Sequence, residues 1–292
     1  MRKVGDGMKR QIVLMTVFIF SIFIITGCGM GLNWGGKERS ARELIQRDNI
    51  KIVEREQINY FARFQDENNR GTSPNEGETE GKNRIVYLTF DDGPTENTQG
   101  ILSILKDFNA KATFFVNGRE SDFAKKIYQQ IVLNGHALGN HTYSHQYEII
   151  YSDLSNFKAD FYELQALLKE TTGVEPKYFR FPGGSNSTRA HQHGGEQILW
   201  EIRSFLDNNG YVFFDWNVDS RDSAVQNQSK EVIIQETLAQ VKGKNQAIVI
   251  FHDGPNKEST VEALPAILDQ LAKWGYSFKT LSKDAPKQHF QL

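Results

Sequence analysis

The feature that most constrains this chain is an alternation of short apolar runs with amphipathic segments after residue 84. The segments between the runs repeat apolar residues at helical spacing, as in Leu154, Phe157, Phe161, Leu164 and Leu168. About seven such repeats predict an α/β domain with a parallel sheet, either open or closed, and ~200 residues suit a minimal barrel. The predicted strands are RIVYLTF, ATFFV, HALGN, YFRF, YVFFDW, AIVIF and YSFKTL.

Polar clusters follow or overlap the ends of five of these predicted strands. Because the carboxyl ends of parallel strands lie on one face of the domain, the five clusters are expected to meet there. Aspartate, histidine and arginine side chains that gather on one face of the domain indicate an active site. The clusters are Asp91-Asp92-Gly93, His141 to His145, Arg180 with Pro182-Gly183-Gly184, Asp219 with Asp222, and His252-Asp253-Gly254.

The pair His141 and His145 suggests a metal site. Their spacing of four brings both imidazoles to one side of a helical turn or tight loop. With one carboxylate from the acid pair they form a His₂Asp set, which leaves coordination positions open for chemistry. Zn²⁺ suits these ligands, and Co²⁺, Mn²⁺ or Fe²⁺ would also fit. The alternative is two solvent-facing histidines with ordinary hydrogen bonds.

The remaining residues suit hydrolysis of an amide or ester. One of Asp91 and Asp92 would bind the metal, while the other would take a proton from an activated water. Arg180 would hold that free carboxylate ionised. His252 would protonate a leaving amine, with Asp222 or Asp219 orienting its ring and raising its pKa. Spacing alone does not decide which of the adjacent acids binds metal.

Five stretches resemble the motifs of the polysaccharide deacetylases, which are carbohydrate esterases of family 4 built on the NodB homology domain. They read TFDDG, HTYSH, RFPGG, DWNVDSRD and IVIFHD in this order, and the similarity spans about Asn83 to Lys283. The resemblance implies a distorted (β/α) barrel of about seven parallel strands. It also implies metal-dependent removal of acetyl groups from N-acetylated sugars.

Carried over by position, the resemblance assigns a role to each candidate residue. Asp91 matches the catalytic base. The position of the Gly183 backbone N–H matches a donor that stabilises the oxyanion. The metal ligands would be Asp92, His141 and His145, and the other catalytic residues would be Arg180 to brace the base, His252 as the acid and Asp222 to tune it.

Three positions depart from the pattern that the resemblance implies. Ser223 stands where the family often has a tryptophan, so one wall of the groove is expected to be lower. Gly183 replaces a bulky residue, which is expected to widen the same groove. Ile250 replaces a leucine two residues before the histidine and is still expected to line the acetyl pocket.

The first residues predict export. A basic leader precedes the apolar run Ile12 to Ile25, which is shorter than the ~20 residues of a spanning helix. Ile25-Thr26-Gly27-Cys28 resembles a lipoprotein box, so residues 1–28 are interpreted as a signal peptide and Cys28 as lipidated. An uncleaved anchor is the alternative. Residues 29–82 are predicted to form a charged, disordered tether, 83–283 the deacetylase domain and 284–292 a C-terminal tail.

These observations predict an extracytoplasmic, membrane-anchored lipoprotein that deacetylates an N-acetylglucosamine-containing polysaccharide, with peptidoglycan as the first candidate. Chitooligosaccharide, exopolysaccharide or O-acetylated glycan would use the same residues. A catalytically inactive glycan-binding lipoprotein and a non-haem Fe(II) oxygenase are alternatives from other classes. The net charge of −2 and the lack of a basic block after the first residues argue against a nucleic-acid partner. No protein partner is evident.

Overall fold

The computed structural model describes residues 84–291. The predictions for the signal peptide, Cys28 and the tether lie outside the described residues. The strands are β1 (Ile85–Asp91), β2 (Ala112–Val116), β3 (Ala137–Asn140), β4 (Tyr178–Phe179), β5 (Val212–Phe213), β6 (Val218–Asp219), β7 (Gln246–His252) and β8 (Ser277–Phe278). The helices are α1 (Glu96–Asp107), α2 (Asp122–Leu133), α3 (Tyr147–Ile150), α4 (Leu154–Thr172), α5 (Thr188–Gly194), α6 (Ile198–Asn208), α7 (Lys230–Val241) and α8 (Glu258–Lys273).

All strand pairings among the described residues are parallel. The strands run β5-β4-β3-β2-β1-β7-β6 across the sheet, and β8 pairs with β1 beside this path. The predicted strand YVFFDW is different in the structure, because only Val212 and Phe213 pair with β4. The chain then crosses the open side of the sheet through residues 214–217 and pairs with β7 as β6. The predicted distorted (β/α) barrel is confirmed.

Side-chain alternation along β1 explains how the barrel is filled. Val86, Leu88 and Phe90 belong to the large core beneath the helices. Ile85 and Tyr87 point the other way and pack in a smaller interior cluster. Because successive side chains of a strand alternate between faces, residues 89 and 91 continue the interior row. The acid at the end of β1 is thus placed inside the barrel mouth.

A second core of aromatic residues supports β4 and β5. Phe161 of α4 contacts Phe179 of β4 edge-on, with ring centroids 5.7 Å apart. Edge-to-face pairs of this kind add to the stabilisation that burial supplies. The cluster holds the short strand that leads into Arg180. Its other aromatic members are Tyr147, Tyr151, Phe157, Phe181, Phe205, Tyr211 and Phe213.

Residues with capping preferences lie at the ends of two helices. Thr95 caps α1, with its side chain accepting a hydrogen bond from the N–H of Asn97 at 3.1 Å. Gly173, which follows α4, has φ of 74°. This left-handed conformation favours glycine and ends the helix. In the described part of the chain, no helix combines the length and apolar character that crossing a membrane requires.

The last described residues pack along the segment that crosses the sheet. The N–H of Asp215 donates to the carbonyl of Gln288 at 2.9 Å, and the N–H of Phe290 donates to the Asp215 carboxylate at 2.7 Å. The ring of His289 stacks on Phe213 with centroids 3.9 Å apart. These contacts lie along the opening between β5 and β6, which stand at the two ends of the strand order.

Two apolar residues of α2 provide a stability prediction. Ile131 is fully buried, whereas Leu133 is 82% exposed. Ile131→Ala should lower the free energy of unfolding by about 2–5 kcal/mol, because it removes buried methyl groups and leaves a cavity. Leu133→Ala, the control on the same helix, should change it by no more than about 0.5 kcal/mol. Chemical denaturation would measure both, and equal effects would contradict the assigned orientation of α2.

Candidate active site

The sheet order brings the predicted polar clusters to one end of the barrel. Asp91 lies opposite His252 in the pairing of β1 with β7. Asn140 at the end of β3 lies opposite Phe179, so that His141 and Arg180 follow at neighbouring strand ends. Asp91 and His252 are 161 positions apart in the chain, and His141 and Arg180 are 39 positions apart, so the parallel sheet makes each pair neighbours.

Asp92, His141 and His145 form a possible metal site. The Nε2 atom of His141 lies 3.5 Å from Asp92 Oδ1, and the Nε2 atom of His145 lies 3.4 Å from the same oxygen. One potential ligand atom from each residue lies within 4.8 Å of the other two. This arrangement suits a single divalent ion held by two imidazoles and a carboxylate.

The hydrogen bonding of His141 leaves a lone pair facing that site. Its Nδ1 atom lies 2.8 Å from the carbonyl oxygen of Arg180, which only accepts, so Nδ1 carries the proton. Burial, followed by the neighbouring His145, lowers the pKa of His141 to about 3. The Nε2 atom is therefore an unprotonated acceptor, the form that binds a metal.

Asp92 Oδ1 supplies an independent indication of a cation. This oxygen is buried and has no hydrogen-bond partner among residues 84–291. A buried carboxylate oxygen facing the nitrogen lone pair of His141 is costly unless a positive charge lies between them. The three residues therefore fit a divalent metal ion, and zinc is consistent with their nitrogen and oxygen ligands.

Asp253 holds the Asp92 turn and was not assigned a role from the sequence. Its Oδ1 accepts from the N–H of Gly93 at 2.8 Å, and its Oδ2 accepts from Thr98 at 2.5 Å. Its own N–H donates to the carbonyl of Asp91 at 2.9 Å. Burial raises the pKa of Asp253 to about 7. The position directly after His252 was the only sequence signal for it.

Asp160 of α4 fixes the loop that carries both histidines. Its carboxylate accepts from the N–H groups of Tyr143 at 2.5 Å and Ser144 at 3.0 Å. The loop contains His145 with φ of 57°, so it is a tight loop and not a helical turn. Asp160 was not predicted from the sequence. An acid on the otherwise apolar face of this helix is the signal that would have identified it.

Arg180 and Asp91 form a buried ion pair beside the metal site. Arg180 Nη1 donates to Asp91 Oδ1 at 3.0 Å and to Thr89 Oγ1 at 2.6 Å. The other Asp91 oxygen lies 3.9 Å from His141 Nε2. Burial raises the pKa of Asp91, and the positive charge of Arg180 opposes that rise. The two adjacent acids therefore have different partners: Asp92 lies beside His141 and His145, and Asp91 pairs with Arg180.

His252 is paired with Asp222 and not with Asp219. Asp222 Oδ1 lies 2.7 Å from His252 Nδ1, and its Oδ2 accepts from the backbone N–H of His252 at 2.7 Å. Asp219 instead accepts from the N–H of Arg221 at 2.8 Å. Burial lowers the pKa of His252, but the charge and hydrogen bond of Asp222 outweigh burial and raise it to about 9. The ring is therefore held in its protonated form.

Gly183 has a backbone N–H that is available to donate a hydrogen bond. Its N–H donates no hydrogen bond within the described residues, and its φ of 78° is left-handed. Tyr151 Oη donates to the carbonyl of Pro182 at 2.9 Å and holds this turn in place.

The expectation that Gly183 widens the groove is wrong. A Cβ at this position would lie only 2.5 Å from Tyr147 Oη, so the tyrosine at the start of α3 takes the space. Of the other two departures, Ser223 is exposed, as a lower wall requires. Ile250 is 4% exposed and lies next to Thr89 in the interior of the barrel.

Comparison with known proteins agrees with this geometry. A family model described as polysaccharide deacetylase matches residues 78–196. A putative polysaccharide deacetylase of Bacillus subtilis is 30% identical over 201 residues, which is 68% of this chain and 67% of the relative. A peptidoglycan-N-acetylglucosamine deacetylase of Bacillus cereus is 32% identical over 212 residues, covering 70% of this chain and 90% of the relative.

Comparison with solved structures finds the same fold. The catalytic domain of peptidoglycan N-acetylglucosamine deacetylase from Eubacterium rectale superposes with a TM-score of 0.68 and 33% identity, covering 76% of this chain and 97% of that domain. Fold, motifs and relatives lead to the same result: the chain belongs to the polysaccharide deacetylase family, whose members are hydrolases that act on amide bonds.

Proposed function

We propose that this chain is a metal-dependent deacetylase that removes N-acetyl groups from N-acetylglucosamine residues of peptidoglycan. The observation that carries the proposal is the Asp92, His141 and His145 cluster. It lies beside one buried carboxylate and opposite one histidine that is held protonated. These groups are the metal ligands, base and acid that amide hydrolysis requires.

The proposed metal ion, when bound, supplies a Lewis acid that polarises the acetyl carbonyl and makes water a better nucleophile. Asp92, His141 and His145 would hold it. Asp91 accepts the proton of the attacking water through its Oδ2 atom, because its Oδ1 atom is engaged by Arg180. The same arginine keeps Asp91 ionised although burial favours the neutral form.

His252 delivers a proton to the leaving nitrogen. Its Nδ1 atom is engaged by Asp222 at 2.7 Å, which leaves Nε2 as the ring nitrogen that can donate. An amine is a poor leaving group unless it is protonated, so an imidazolium at this position lowers the barrier to C–N cleavage. The free N–H of Gly183 stabilises the negative charge that develops on the acetyl oxygen.

Peptidoglycan is favoured as the substrate by the relatives, since both the Bacillus cereus and Eubacterium rectale proteins carry that activity in their names. The proposed catalytic residues would act on the acetyl group, which the candidate polymers share, and so would not distinguish one polymer from another. The proposal is therefore tested with a panel of acetylated glycans. Zinc-loaded full-length protein in detergent should release acetate from peptidoglycan at a higher kcat/KM than from chitooligosaccharide or acetylated xylan. Faster acetate release from chitooligosaccharide or acetylated xylan would identify that glycan as the preferred substrate instead of peptidoglycan. No release from any glycan would contradict the deacetylase activity and favour a glycan-binding protein without catalysis.

We further propose that the protein acts outside the cytoplasm as a lipoprotein anchored through Cys28. Support comes from the apolar run that ends in Ile25-Thr26-Gly27-Cys28 and from a substrate located in the cell wall. Cys28→Ala should abolish lipid attachment, because the thiol that carries the lipid is absent. Mass spectrometry and membrane fractionation would measure the change. Unchanged mass and fractionation in the mutant would indicate an uncleaved anchor.

A further inference from the structure

Tyr147 stands beside the proposed site without a role in the mechanism above. Its side chain is 8% exposed, and its ring packs edge-on against His145 with centroids 5.8 Å apart. The same ring packs against Tyr151 at 5.4 Å and carries the Arg189 guanidinium over its face at 4.1 Å. Contacts on several sides fix the direction in which its hydroxyl points.

The hydroxyl of Tyr147 is a free donor next to a second free donor. Its Oη atom would lie 2.5 Å from a Cβ built on Gly183, so the hydroxyl lies directly over that backbone turn. Tyr147 Oη forms no hydrogen bond within residues 84–291. The N–H of Gly183 is also unused there. Neither donor has an acceptor within the described residues, so both can bond an acceptor from outside the protein, and the Tyr147 ring lies beside the ligand His145.

We propose that Tyr147 is a catalytic residue whose hydroxyl donates a hydrogen bond to the acetyl oxygen of the substrate, together with the N–H of Gly183. This inference rests on the proposed deacetylation. The acetyl oxygen only accepts hydrogen bonds and gains negative charge during attack, so preorganised donors stabilise it more as the charge develops. The first residue of α3 thereby supplies the hydroxyl over a position where this chain has glycine.

The test compares Tyr147→Phe with wild-type protein loaded with zinc. The variant keeps the ring and its contacts, so its zinc content should remain stoichiometric. Its kcat for acetate release should fall about 10²-fold with little change in KM, because the lost bond acts mainly in the transition state. Tyr162→Phe removes a hydroxyl from an exposed tyrosine of α4 and should behave as wild type. A raised KM with unchanged kcat, or no change in either, would overturn the assignment.

A binding measurement separates this inference from the proposed function. Acetohydroxamate carries an acetyl oxygen, and its affinity for the zinc-loaded protein does not depend on turnover. Calorimetry should show about 10-fold weaker binding to Tyr147→Phe than to wild type. If wild type releases no acetate while this difference is present, the proposed function fails, and only a hydrogen bond from Tyr147 to an acetyl oxygen is supported. If wild type is active and both affinities are equal, the Tyr147 assignment fails alone.

A double mutant tests the contact between Tyr147 and Gly183. Gly183→Ala places a methyl group 2.5 Å from the hydroxyl but 3.4 Å from the ring carbon Cζ, which is ordinary van der Waals contact. The alanine should therefore reduce kcat less in the Tyr147→Phe background than in wild type. The strain from the positive φ of residue 183 is common to both backgrounds and cancels. Equal reductions would show that the hydroxyl does not lie over Gly183.

Discussion

Replacing Asp92, His141 or His145 with alanine should abolish both stoichiometric metal binding and acetate release. Each residue contributes one of three ligand atoms that lie within 4.8 Å of one another. Loss of one ligand leaves two, which is fewer than the three protein ligands of a catalytic zinc site. Treatment of wild type with a chelator should have the same effect, and added Zn²⁺ should restore activity to wild type only.

The matched control for this experiment is His193→Ala. His193 is an exposed histidine on α5 and lies outside the ligand cluster. Its removal should leave zinc content and acetate release unchanged. Metal content is measured by elemental analysis after dialysis. Acetate release at the wild-type rate from chelated, metal-free protein would contradict the proposed metal dependence.

Replacing Asp91 with asparagine should lower kcat about 10²-fold or more while zinc remains bound. The amide keeps the shape of the side chain but cannot accept the proton of the attacking water. Asp91 is not one of the three clustered ligands, and its Oδ1 atom is hydrogen-bonded to Arg180 at 3.0 Å. Loss of zinc from Asp91→Asn would show that this acid is a ligand and not the base.

The same proton transfers predict a bell-shaped dependence of kcat/KM on pH. Asp91 must be ionised, so activity falls at low pH, through a pKa that burial raises above its usual value. His252 must be protonated, so activity is present below its pKa of about 9 and is lost above it. Asp222→Asn removes the charge that raises this pKa, so the basic limb should move toward the ordinary imidazole value of about 6.5. An unmoved basic limb would assign it to another group.

His252→Ala distinguishes a general acid from a merely structural histidine. The variant should retain zinc and lose more activity toward amides than toward activated esters, whose leaving groups need little protonation. The ratio of ester to amide activity should therefore rise. A ratio equal to that of wild type would show that His252 does not protonate the leaving group.

Much of the fold was predictable because the periodicity of apolar residues is a local property. Strands β1, β2 and β7 coincide closely with the runs RIVYLTF, ATFFV and AIVIF. Alternation in β1 also decides that Asp91 faces the barrel interior. The division of YVFFDW was not predictable. The crossing at residues 214–217 depends on which strands lie on the two sides of the opening, and those strands are distant in sequence.

For the candidate site, the sequence by itself determined which chemical groups gather at the barrel mouth, since parallel strands place their carboxyl ends together. Only the tertiary structure decided how they pair. It placed Asp92 at the histidines and Asp91 on Arg180, and it paired His252 with Asp222. It also revealed Tyr147 over Gly183. The types and order of the residues indicate which chemical groups the site contains. Which groups pair depends on distances of a few ångströms between strand ends and loops, and residue spacing does not encode those distances.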